Sequence, residues 1–246
     1  MQTKMKAGFL ACAARANVRQ VVRFGTRGPA LLLAAVGLLL AGGLNEAEGQ
    51  GKIGPAAPVT YANRWEVYGG LNFMNFQAGQ NLPKRMNLGG GELEATYFFK
   101  PNWGVSADYR GEAGTTPVFP NSEVYGIHRP LVYMNMGLGG VTWRGPRNQH
   151  AAIDLHALGG MSHGVFDAGT DGAGPVAQSA SENARLVGLY SNRTRPLFAL
   201  GGSLDVNQSK RWAIRLAPDL IVEHFGTETR EFFAISGGVV YRFGKK

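Results

Sequence analysis

Past residue 12 this chain of 246 residues has no cysteine. Disulfide staples and thiolate chemistry are therefore excluded for everything beyond Cys12. After Leu44 no apolar run approaches the roughly 20 residues that a membrane-crossing helix needs. Helical periodicity is missing too, so the body of the chain is expected to be strands. An excess of one charge is also missing once the leader is set aside. Residues 1–47 hold Lys4, Lys6, Arg15, Arg19, Arg23 and Arg27, six of the 25 Lys/Arg, and Glu46, one of the 17 Asp/Glu. That leaves 19 bases against 16 acids, a net of +3 where the whole chain has +8. No electrostatic footprint for nucleic acid remains, and none is expected as a partner.

What the N-terminus does have is a basic flank, the apolar run from Pro29 to Leu40 and the small residues Ala41, Gly42 and Gly43. That order reads as a secretory signal peptide over residues 1–47, cleaved near 43 or 47, with Met5 as a candidate true start. An uncleaved membrane anchor is the alternative. Phe9-Leu10-Ala11-Cys12 precedes the apolar run and so does not serve as a lipoprotein box. Residues 48–64 read as a flexible lead-in, and residues 65–246 as the folded domain.

Eight strands are expected, near 65–76, 87–99, 103–110, 130–143, 150–165, 196–207, 211–224 and from 233 on. Leu93, Ala95 and Tyr97 alternate with Glu92, Glu94 and Thr96, and Trp103, Val105, Ala107 and Tyr109 alternate with Ser106, Asp108 and Arg110. Met134, Met136 and Leu138 are taken as one outward face, set against Asn135, Gly137 and Gly139. Connections alternate tight and long. Lys100–Asn102, Gly145–Gln149 and Gln208–Lys210 carry turn residues, while 77–86, 111–129 and 166–195 are long, with 164–174 read as a glycine-rich external loop. This parity predicts an all-β, eight-stranded antiparallel up-and-down transmembrane barrel.

The choice between a membrane barrel and a soluble lipocalin-type barrel rests on which face is inside. One face collects Glu92, Glu94, Asp108, Arg110, Asp154, His156, Asp205, Arg215, Asp219 and Arg242. In a membrane barrel these line the lumen and pair across it, His156 beside Asp154 or Asp205, while apolar side chains meet lipid. Trp103, Trp143, Trp212, Tyr241 and Phe243 then fall at the turn-side ends, where an aromatic girdle is expected.

In the last strand Phe233, Ile235, Gly237, Val239, Tyr241 and Phe243 alternate with Ala234, Ser236, Gly238, Val240 and Arg242. It resembles the C-terminal signature by which bacterial outer-membrane barrels are assembled, except that Gly244, Lys245 and Lys246 follow the Phe. The resemblance implies the barrel-assembly machinery as a partner through Phe233, Ile235, Val239, Tyr241 and Phe243. The edge strand of a soluble sandwich is the alternative for this segment alone.

The run Asn87 to Gly90, then ATYFFKPNWGVSADYRG over Ala95 to Gly111, resembles the second hairpin of small outer-membrane barrel proteins. These are porin-family proteins with an outer-membrane β-barrel domain, of the acidobacterial type. His156–Gly160 with Ser162-His163-Gly164, Ala199–Val206 and Trp212–Arg215 are similar to later strands of that family, so the likeness spans residues 65–243. It implies a surface or structural protein of the outer membrane, with no catalytic residues, no cofactor and no defined substrate.

Other chemistry finds little support. Ser162 and His163 are consecutive on a strand and point to opposite faces, so a Ser-His-acid site with Asp167, as a lipid A-modifying enzyme would need, does not form. His156, His163 and His224 lack metal-ligand spacing. Gly89-Gly90-Gly91 has no following Lys or helix to make a phosphate cradle; strand curvature or close packing is its expected role. A narrow passive channel is the alternative function to a filled, non-enzymatic barrel.

Overall fold

A computed structural model describes residues 59–79, 82, 85–118, 127–168, 170, 179–225 and 228–245. The expected leader and most of the lead-in lie outside the described residues. The strands are β1 (Asn63–Phe76), β2 (Met86–Phe98), β3 (Trp103–Thr115), β4 (Leu131–Arg147), β5 (Ala151–Ala168), β6 (Arg193–Asn207), β7 (Trp212–Phe225) and β8 (Glu228–Lys245). One short helix, α1 (Ala180–Leu186), lies between β5 and β6.

Each strand pairs antiparallel with the next, and β1 also pairs with β8, as in Trp65↔Phe243 and Gly69↔Val239. The sheet is a closed eight-stranded barrel in sequence order. Closure removes the unpaired edges that an open sheet would expose.

Local sequence explains the tight turns. The Asn148 side-chain oxygen accepts from the His150 and Ala151 amides at 2.7 and 2.8 Å, an Asx turn between β4 and β5. Ser209 Oγ accepts from the Arg211 and Trp212 amides in the same way between β6 and β7.

Several strands outrun their expected ends. β3 continues from Arg110 to Thr115, and β5 reaches Ala168, taking in part of the stretch expected as a loop at 164–174. Gly111, Ala113 and Gly114 hide the alternation there, yet Gly111 still pairs with Gly91 and Asn135. α1 was not expected either, because seven residues hold too little periodicity to be seen. It is nucleated by Ser179, whose amide donates to Glu182 Oε2 at 3.2 Å, one half of a capping box.

The faces sort as alternation requires, with one correction. Met134, Met136 and Leu138, taken as outward, are buried inside, while Tyr133 and Val141 of the same strand face out. The neighbouring Asn135 and glycines had made either face plausible; the larger residues further along decide the phase.

The interior is also not uniformly polar, as had been expected. Its loop-side half is packed with Met74, Phe76, Leu88, Met134, Met136, Phe166, Ile221 and Phe232. Phe76 lies with its ring centroid 4.5 Å from that of Phe232 and 6.2 Å from that of Phe166. Tyr190, Val187 and Ala184 beside α1 belong to the same cluster. Most of the buried charges lie in the turn-side half. At Gly90 a Cβ would collide with the Gly111 carbonyl oxygen, so this glycine permits a backbone approach that no other residue allows.

Candidate functional site

The turn-side half of the interior holds two ion-pair networks. Its side chains come from consecutive inward positions, because the period-two pleat sends every second residue to the axis. Glu92, Glu94, Asp108, Arg110, Asp154, His156, Asp205, Arg215, Asp219 and Arg242 are all buried there.

The lower network centres on Arg215. Its guanidinium donates to Asp205 through Nε at 2.7 Å and Nη2 at 3.1 Å, to Glu94 at 3.0 Å and to Glu66 at 3.3 Å. Arg242 reaches Glu66 at 2.7 Å, Asp205 at 2.8 Å and the Asn207 side chain at 2.6 Å. Arg144 grips Asp154 with two bonds, at 3.1 and 3.0 Å, and touches Glu66 at 2.6 Å. These bonds satisfy charges that would be very costly to bury alone.

The upper network centres on Arg110, which bonds Asp108 at 2.7 Å and crosses the barrel to Asp219 at 2.6 Å. His156 Nε2 lies 2.7 Å from the other Asp219 oxygen. This corrects the expected placing of His156 beside Asp154 or Asp205. Glu92 accepts from Asn72 at 2.7 Å and lies 3.6 Å from Arg110. Thr96, Ser106 and Thr142 link hydroxyl to hydroxyl at 2.7 and 2.5 Å, bridging β2, β3 and β4.

Sequence reasoning missed Glu66 and Arg144, although both are hubs. Each lies at a strand end, where Glu66 could have been found by extending the Glu66-Tyr68 alternation and Arg144 by extending Thr142-Arg144. Glu112 and Glu223 were missed as well. Both are buried, Glu112 next along β3 from Arg110 and Glu223 opposite Leu197 of the apolar cluster.

Tyr61 was read as part of the lead-in. It instead stands in the turn-side mouth with its backbone in the left-handed region, φ 53°. For a residue other than glycine that conformation costs roughly 1–2 kcal/mol, so its side chain must be well held. The hydroxyl donates to the Asn148 carbonyl at 2.8 Å and accepts from Asn207 at 2.7 Å. The Arg144 and Arg242 guanidiniums lie 5.3 and 5.1 Å from its ring centroid. Burial pushes the Tyr61 hydroxyl above its ordinary value, against the Asn207 bond and the two arginines, which pull it down. Tyr61→Phe should lower stability by about 1–3 kcal/mol, because Asn207 loses a buried acceptor. Urea titration of the refolded protein checks this, and an unchanged midpoint would show that the hydroxyl contributes nothing.

Ser162 and His163 are not brought together, and the most closely grouped carboxylates are already bonded to arginines. Ser162 points inward and is fully buried, whereas His163 is exposed and bonds Thr194 at 2.9 Å. Glu66, Asp154 and Asp205 bring carboxylate oxygens within 4.8 Å of one another. Every oxygen of the three already lies against a guanidinium group.

The outer wall has the opposite character. Leu71 is 77% exposed, Phe198 63% and Leu93 57%. Phe233, Val239 and Phe243 are exposed on β8, with Ile235 and Tyr241 half-exposed beside them. Trp103, Trp143, Trp212, Tyr241 and Phe243 lie at the turn-side end, joined by Trp65, which stacks on Phe243 at 6.4 Å. A charged interior behind an aromatic and aliphatic wall is the inverse of a lipocalin-type barrel.

The molecule is thus an eight-stranded antiparallel barrel with its charges inside and its apolar side chains outside. No family model matches the chain, and no curated protein matches it in sequence. Among solved structures it is similar to Ail, the attachment invasion locus protein of Yersinia pestis. That match has 18% identity and a TM-score of 0.45, covering 74% of this chain and 99% of that one. Neisserial surface protein A matches at 10% identity and a TM-score of 0.49, covering 73% of this chain and 97% of that one. The outer membrane protein OprG from Pseudomonas aeruginosa matches at 10% identity and a TM-score of 0.47, covering 76% and 98%. Similarities at this level leave the functional argument to this chain's own residues.

Proposed function

We propose that this protein is a non-enzymatic barrel of the bacterial outer membrane with a structural or surface role. One observation carries the reading: the wall facing outward is apolar around all eight strands while the charges are paired inside. In water such a wall would be a large aggregation-prone surface; in a bilayer it is the side that meets lipid. The likeness of Ala95–Gly111 and the later strands to acidobacterial porin-family barrels supports the same assignment. The basic and apolar N-terminus supports export with cleavage near 43 or 47. β8, with Phe233, Ile235, Val239, Tyr241 and Phe243 on its outer face, serves as the strand recognised by the assembly machinery.

A filled barrel is favoured over a channel by the apolar cluster around Phe76, Phe166 and Phe232. A polar solute leaving the charged half would have to cross this dry layer, at high cost. The protein is expected to fractionate with the outer membrane and to migrate differently in gels before and after boiling. Recovery from the soluble periplasm would refute the membrane reading. Steady single-channel conductance of the purified protein in a planar bilayer would refute the filled one.

A further inference from the structure

Two features of the outer wall share the strands β2 and β3. At the loop-side rim a cleft of about 580 Å3 is lined by Arg85, Met86, Asn87, Thr115, Pro117 and Arg129. Both arginines are exposed, and among the described residues neither forms an ion pair. Arg85 is steered by Asn75, whose Oδ1 accepts from it at 3.3 Å and whose amide bonds Asn87 at 3.0 Å. Further down the same wall a groove of about 350 Å3 runs past Gly91, Gly111, Leu93 and Tyr109.

The outward positions between cleft and groove are Asn87, Gly89 and Gly91 on β2 and Ala113 and Gly111 on β3. Register sets Gly89 opposite Ala113 and Gly91 opposite Gly111; the floor is bare of side chains at Gly89 and Gly91, and at Gly111 it is flanked by Tyr109, whose hydroxyl donates to Asn135 at 2.9 Å. Leu71 and Phe73 of β1 stand on one side, Tyr133 of β4 on the other. The pair Leu93 and Tyr109 closes the lower end. From Asn87 to Leu93 the trough is roughly 20 Å long at strand rise, the reach of one long acyl chain.

We propose that this trough binds one anionic phospholipid, its phosphate between Arg85 and Arg129 and one acyl chain along Gly89, Gly91 and Gly111. Charge complementarity selects the headgroup: paired guanidiniums with Asn and Thr donors beside them suit a phosphate monoester or diester. The apolar floor selects the chain, so a soluble phosphate satisfies only half of the site. The inference rests on the membrane reading above.

The test uses the exported barrel in neutral detergent and counts retained lipids by native mass spectrometry. The probes are dioleoyl phosphatidic acid, dioleoyl phosphatidylcholine and glycerol phosphate. Wild type is expected to keep one phosphatidic acid in preference to phosphatidylcholine by about tenfold, because the choline cation offsets the phosphate charge that the two arginines recognise. Arg85→Gln with Arg129→Gln should abolish that preference. Gly89→Leu should weaken retention without harming the fold, because no atom lies within 4 Å of a Cβ placed there. The boiled and unboiled gel mobilities establish that each variant is folded. Equal retention of both lipids by wild type, or of glycerol phosphate and phosphatidic acid, would overturn the proposal while leaving the membrane reading intact. Folding of wild type in plain buffer would remove the membrane reading and this inference with it.

Discussion

Arg215→Ala should lower the stability of the folded barrel by about 3–5 kcal/mol, the cost of leaving buried carboxylates without their cation. The loss is not shared evenly among its partners. Asp205 keeps Arg242 at 2.8 Å, and Glu66 keeps Arg144 and Arg242 at 2.6 and 2.7 Å. Glu94 retains only the Thr96 hydroxyl at 2.9 Å. It is therefore the group left stranded, whereas Asp219 is not involved, being bonded by Arg110 and His156. The urea midpoint for folding into lipid vesicles measures the loss. Adding Glu94→Gln to Arg215→Ala should recover part of it, because the uncompensated charge disappears, and a double-mutant cycle isolates that coupling. Arg215→Lys should recover less than the wild-type value, since an ammonium cannot make the two parallel bonds to Asp205. An unchanged midpoint for Arg215→Ala would show that the network is hydrated and contributes little.

The barrel was legible because its signals are local. Alternation in Leu93–Tyr97, Trp103–Tyr109 and Ile153–Leu155 fixes faces residue by residue, and turn residues at Asn148 and Ser209 fix the hairpins. What stayed hidden depends on distant partners. Nothing near Glu66 in the chain indicates that Arg144, Arg215 and Arg242 will converge on it from β4, β7 and β8. Met134 and Met136 alternate with asparagine and glycine, so the residues beside them leave their face undecided, and only Tyr133 and Val141 further along β4 set the phase. Tyr61 was invisible for a different reason. A tyrosine outside any periodic segment carries no signal, and only the closed mouth around it, with two arginines and Asn207, gives it a task.

The outer wall makes the other large prediction. Val239 is exposed on β8, paired in register with Gly69 and Ile214, and Val239→Arg should cost roughly 2–4 kcal/mol in a bilayer. The cost arises because the cation would sit in hydrocarbon between Ile214 and Gly69, with no acid opposite it in register. A soluble barrel of this geometry would place the same arginine in water, where surface substitutions usually stay within about 0.5 kcal/mol. Val240→Arg, one residue on, enters the lumen and would be the milder change if the interior were polar throughout. The packing reverses that ranking: Val240 is fully buried against Tyr68 and Ala213, and Arg242 and Arg215 already supply cations nearby. Over-packing alone costs about 1–3 kcal/mol, and the added charge makes the site worse. Val240→Arg should therefore be destabilising in any medium, whereas the Val239→Arg penalty should appear only where lipid or detergent contacts the wall. Folding free energies of both variants in vesicles test this, with Val239→Asn as a neutral polar control expected to fall between wild type and Val239→Arg. A Val239→Arg protein as stable in vesicles as wild type would mean that β8 does not face lipid, and the membrane assignment would fall.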